Sequence, residues 1–220
     1  STCSSDKITE GFSPSDNYKR WEGEHMNKAV ESLLHNPAFR ANIAQWVAPD
    51  AINAHNMQAQ YNLHREGLQM VSDEIRKSFD LEPAVIVLDN FAAISGGIGG
   101  GMTMPPELTR KLPGSPHLIV IDYSALIPNK EPWEFINTTA HETKHSIDQE
   151  FSSQLIKGKM DRGDIRFDHT AAIILNGHTV QNNTFALVQY TERNANRFGN
   201  IFAQKLRKNF DTNKAAPTPP

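Results

Sequence analysis

The stretch from Pro132 to Phe151 constrains this chain most, because its apolar residues recur at helical spacing around a fixed pair of histidines. Ile136, Ala140, Thr143, Ile147 and Phe151 share one stripe. Pro132 stands where a first helical turn tolerates a missing N–H, and Glu134 lies where the positive helix end favours a carboxylate. A helix starting at Pro132 and carrying this stripe to Phe151 is therefore expected.

Other elements follow by the same reading. Val30, Leu33 and Leu34 place a helix near 24–35, and Asn36 before Pro37 reads as an N-cap opening a helix near 37–47. Leu68, Val71, Ile75 and Phe79 form the stripe of a helix near 62–79, with Asp73 and Glu74 on its polar side. AVIVLD at 84–89 and HLIVID at 117–122 are short β-branched runs bounded by Pro, Gly and Asn, hence strands. Between them, ISGGIGGGMTMPPE lacks the Gly-Lys-Ser/Thr of a phosphate loop. It reads as a flexible loop or turn, or, where Gly99, Gly100 and Gly101 let backbones come close, as an edge strand MTM beside a peptide. Residues 152–181 look irregular apart from AAIIL. A final helix from about Asn183 to Phe210 carries Val188, Ala195, Phe198, Phe202 and Leu206. Residues 1–18 and 211–220 read as disordered tails around a single domain at 19–210, helical over 19–80 and carrying the functional part over 81–210. The fold class is α+β, mainly helical with a small sheet.

Composition narrows the function classes. Apolar content of 38% and charged content of 21% are ordinary for a soluble chain, and no apolar run approaches the roughly 20 residues of a membrane helix. Lys and Arg number 22 against 25 Asp and Glu, a net charge of −3, and the cations are scattered, so nucleic acid is not an expected partner. Cys3 is the one cysteine and cannot close an internal disulfide, which suits folding in a reducing compartment. No basic-then-apolar signal segment opens the sequence.

His141-Glu142-Thr143-Lys144-His145 is an HExxH motif. Histidines four apart project from one helical face and can share one zinc ion through imidazole nitrogens, while Glu142 is angled to act as a general base and not as a ligand. The competing reading makes Thr139 to Glu142 a capping box and the histidines ordinary polar residues of a first turn. For the third ligand, Glu192 ranks first. It lies four from Val188, three from Ala195 and seven from Gly199, inside an apolar stripe where a carboxylate needs a partner. An ion pair to Arg193 or Arg197 is its alternative. His178 and then His169 follow as rival ligands, and Asp148 reaches the face of His145 one turn on. The histidines at 25, 35, 55, 64 and 117 show no ligand spacing and read as solvated or locally bonded.

HETKH and ERNA together resemble the HExxH zincins, and among them the gluzincin-like arrangement with a glutamate from a later helix as third ligand. The longer metzincin motif fails, since Asp148 and Phe151 stand where it needs glycine and histidine. The separation of 192 minus 145, or 47 residues, differs from thermolysin-like spacing and is similar to the NleD-like bacterial effector metallopeptidases. That resemblance implies a zincin-like domain, a zinc cofactor, a protein or peptide substrate, and secretion or delivery into a target cell.

The expected chemistry is hydrolysis by water activated on zinc, with Glu142 taking its proton and passing it to the leaving amine. Tyr190, or else His178, would stabilise the oxyanion, and Asp148 or the 194–196 segment would orient the ligands. A zinc amidase acting on cell-wall peptides would use the same attack. A non-catalytic interaction module would leave the motif accidental.

Overall fold

The computed structural model describes residues 14–89, 101–106, 117–123, 131–180 and 190–214; for 177–180 and 212–214 it describes the backbone alone. The chain is mainly helical with one small mixed sheet, which agrees with the α+β expectation. Helix α1 (Asp16–Leu34) starts well ahead of the expected residue 24, inside the expected tail, because Ser15 caps it by accepting the Tyr18 backbone N–H at 3.1 Å. Tyr18, Glu22 and Met26 then continue the buried face formed by Val30 and Leu33. Helix α2 (Pro37–Ala44) opens on Asn36, whose Oδ1 accepts the N–H groups of Ala38 and Phe39. After a short 3₁₀ turn, Pro49–Ala51, helix α3 (Met57–Ser78) buries Leu68, Val71 and Ile75.

Both expected strands are present, as β1 (Val85–Asp89) and β3 (Leu118–Asp122), and MTM belongs to a third, β2 (Gly101–Met104). The order is β1-β3-β2, with β1 parallel to β3 from Val85↔Leu118 to Asp89↔Asp122 and β2 antiparallel to it from Gly101↔Ile121 to Met104↔Leu118. Among the described residues the outer side of β2 pairs with no strand. Gly99 and Gly100 lie outside the described residues.

Helix α4 (Pro132–Ile156) is the hub, in contact with α3, β2, β3 and the two helices that follow it. Pro132 occupies its first turn and Glu134 accepts the Glu131 N–H at 3.1 Å, so the cap lies well before the histidines and the Thr139 capping box does not form. Helix α5 (Phe167–Val180) replaces the irregular segment expected around AAIIL. Its buried residues include His169, Thr170 and Asn176, so a polar interior hides the apolar period that marks the other helices. Helix α6 (Tyr190–Lys214) extends past the expected end at Phe210 into the expected tail; residues 183–189, where its start was expected, lie outside the described residues. One core joins Leu68, Val71 and Ile75 of α3, Ile86 of β1, Ile119 and Ile121 of β3, Ile147 and Phe151 of α4, and Phe198, Phe202 and Leu206 of α6. No described helix is long and apolar enough to cross a membrane.

His64 of α3 is 5% exposed, with Nδ1 2.8 Å from the Tyr123 hydroxyl and its ring 4.1 Å from that of Trp46. Burial pushes its pKa down to about 4 from 6.5. The unfolded chain thus takes up this proton at a higher pH than the folded one. The neutral-His64 contribution is complete above pH 6.5 and lost as pH falls toward 4. Thermal melts across that window are expected to show a smaller drop in Tm for His64→Gln than for the wild type; parallel curves would contradict the burial effect.

Candidate metal centre

The helical repeat of α4 puts His141 and His145 one turn apart, with their rings 4.7 Å apart between centroids and nearly perpendicular at 81°. Their Nε2 atoms are 3.1 Å apart. Glu192, in the first turn of α6, meets both: Oε1 lies 2.8 Å from His145 Nε2 and Oε2 lies 3.4 Å from His141 Nε2. Arg197, expected as an alternative partner of Glu192, binds Glu22 at 2.6 Å.

Glu192 reaches the histidines because α6 comes unusually close to α4 at Gly199. A Cβ there would lie 2.5 Å from Asn137 Oδ1, 2.8 Å from Asn137 O and 3.2 Å from His141 Cβ. Glu192 and Gly199 are two helical turns apart and share the α4-facing stripe with Ala195, Phe202 and Leu206. Asn137 Nδ2 donates to Asn200 Oδ1 at 2.7 Å and ties the two helices at the same level.

The donor set fits a metal ion. One ligand atom from each of the three residues can be chosen so that all lie within 4.8 Å of one another, a spacing that one ion could bridge. Two imidazole lone pairs and a carboxylate facing one another repel unless a proton or a cation lies between them. Hydrogen bonds from His141 and His145 hold the Glu192 carboxyl well below the usual carboxylate range. Burial resists protonation of His145, but the Glu192 hydrogen bond and the charges of Glu142, Glu192 and Asp148 outweigh it and raise its pKa. The cluster therefore attracts positive charge.

Glu142 lies beside it, with Oε1 3.7 Å from His141 Nε2 and Oε2 accepting the Thr103 hydroxyl at 2.8 Å. A cavity of about 450 Å³ opens next to His145, walled by Pro105, Gln149, Ser152, Ile156, Ile173 and Thr191.

Tyr190 corrects an expectation. It is 2% exposed and its hydroxyl is 2.6 Å from His169 Nδ1, so it is committed to the interior and not available as an oxyanion donor. His169 is likewise no ligand: its Nε2 is 2.9 Å from Asp148 Oδ1 and it is 2% exposed. Burial lowers its pKa against the pull of Asp148. Asp148 turns inward from the histidine face. Burial opposes its ionisation, but the Lys144 charge and the bonds from His169 and Lys144 hold its carboxyl well below the usual range. The backbone of His178 lies in α5; its side chain is outside the described residues. Lys144 Nζ, fully buried, donates to Tyr18 OH at 2.8 Å and to Asp148 at 2.6 Å. With Arg197 it balances the charges of Asp148 and Glu22 beneath the cluster. The motif hides this second layer, because its partners come from α1 and α5.

Comparison with family models, with curated proteins and with solved structures finds no match in any of the three.

Gly199→Val is expected to cost about 1–3 kcal/mol through overpacking and to weaken zinc binding, read by calorimetry and zinc titration. Gly23→Ala, where an added Cβ meets nothing within 4 Å, is the control and leaves zinc affinity unchanged. Unaltered zinc affinity in Gly199→Val would contradict the close-approach argument.

Proposed function

We propose that this chain is a zinc-dependent peptidase of the HExxH zincin type, gluzincin-like in taking Glu192 as third ligand beside His141 and His145. The convergence of those three donors from two helices, with Glu142 next to them, carries the proposal. Two imidazoles and one carboxylate suit zinc and leave room for a further ligand. When bound, zinc supplies Lewis acidity and lowers the pKa of water from about 15.7 toward 7.

The chain's own residues do the rest. Glu142 is 7% exposed and lies beside the donors without joining them, so it can take a proton from the attacking water as the water oxygen adds to the peptide carbonyl. The same carboxyl then returns that proton to the departing amine nitrogen as the C–N bond breaks. Glu142 ends as it began, and water is divided between the two products.

The substrate class is a polypeptide in extended form. Among the described residues the outer side of β2 pairs with no strand, an edge of the kind that binds a peptide by strand addition, and the neighbouring cavity has room for a side chain. The 47-residue interval between His145 and Glu192 supports the narrower assignment to NleD-like effectors acting inside or around a target cell.

Zinc-loaded wild type is expected to cleave labelled casein, to lose activity on chelation and to regain it with zinc. Glu142→Gln should retain the metal and lose about 10²- to 10⁴-fold in rate. A Glu142→Gln variant as active as the wild type would overturn the base assignment. Release of cell-wall peptides in place of casein cleavage would redirect the site to an amidase.

A further inference from the structure

We infer that Thr103 is a positioning residue for Glu142: strand β2 holds the carboxylate by one oxygen so that the other faces the metal ligands. This inference rests on the peptidase reading of the same site. Thr103 Oγ1 lies 2.8 Å from Glu142 Oε2 and 2.9 Å from the Glu142 backbone oxygen. A hydroxyl has a single proton to give, so the two acceptors compete. The carboxyl oxygen is the nearer of the two, and it belongs to the side chain whose position the hydroxyl can fix, so the proton is assigned to it. With Oε2 committed to Thr103, Oε1 is the oxygen directed at His141 Nε2, 3.7 Å away.

The same strand leaves the carboxylate little alternative. Gly101 shares a face of β2 with Thr103, two residues earlier. A Cβ at Gly101 would lie 2.8 Å from Glu142 Cγ and 3.0 Å from Val120 O. The bare backbone of Gly101 thus fits against the glutamate stem while Thr103 fixes its tip. A glutamate on a helix surface would otherwise sample several rotamers, few of which aim an oxygen at the histidines. Because β2 is an edge strand of the described sheet, a chain pairing with it would bind the same strand that orients the base.

The test uses the zinc-loaded full chain and its Thr103→Val and Thr103→Ser variants, with labelled casein as substrate. Thr103→Val is expected to lower kcat about 10- to 100-fold, the usual cost of losing an outer-shell partner, with KM and zinc content unchanged. Thr103→Ser, which keeps the hydroxyl, should restore most of the rate. Unchanged kcat in Thr103→Val overturns the inference.

An activity-free measurement separates it from the peptidase reading: thermal unfolding of wild type, Thr103→Val, Glu142→Met and the double variant. The Tm loss from Thr103→Val is expected to vanish in the Glu142→Met background. An equal loss in both backgrounds would assign the hydroxyl to the backbone carbonyl and overturn the inference. Coupling in the melts with no hydrolysis by the wild type would uphold the contact while removing the peptidase reading.

Discussion

The close approach of α6 to α4 at Gly199 governs the rest of this structure. The crossing has no room for a side chain, with Asn137 and His141 filling the space a Cβ would need. Two turns back along α6 the same stripe delivers Glu192 to both imidazoles. The larger apolar residues of that stripe, Phe202 and Leu206, are buried in the shared core. Hydrophobic packing thus fixes the helix pair, and the pair fixes the distance between donors. A bulkier residue at the crossing would press on Asn137 and His141 and so move the donors of α4 away from Glu192.

Electrostatics beneath the cluster work in the same direction. Lys144 and Arg197 neutralise Asp148 and Glu22 in the interior, and His169 links Asp148 to Tyr190 at the start of α6. Buried ions of this kind are seldom worth much net stability, but each partner is costly to lose. Their placement ties α1, α4, α5 and α6 together behind the histidines. The hydroxyl of Tyr190 serves this layer, two residues before the carboxylate that faces the open side.

The parts of fold and site legible in the sequence are those set by local periodicity. His141 and His145 share a face because they are four apart on a helix, and Glu192 stands out as a carboxylate in an apolar stripe. Asn36-Pro37 announces α2, and the β-branched runs at 84–89 and 117–122 announce the strands. Contacts between distant segments stay hidden. Arg197 pairs with Glu22, 175 residues away, so its proximity to Glu192 in sequence misleads. Tyr190 looks available until His169 arrives from α5, itself masked by its buried polar residues. Thr103 carries no motif at all; it meets Glu142 only because β2 pairs with β3 at a particular register.

Zinc per chain, measured by elemental mass spectrometry on wild type, Glu142→Gln and Glu192→Ala, bears most directly on the three-ligand site. One zinc in the wild type and in Glu142→Gln, with little in Glu192→Ala, is the expected result. Equal zinc in wild type and Glu192→Ala, or none in the wild type after zinc is added back, would contradict it.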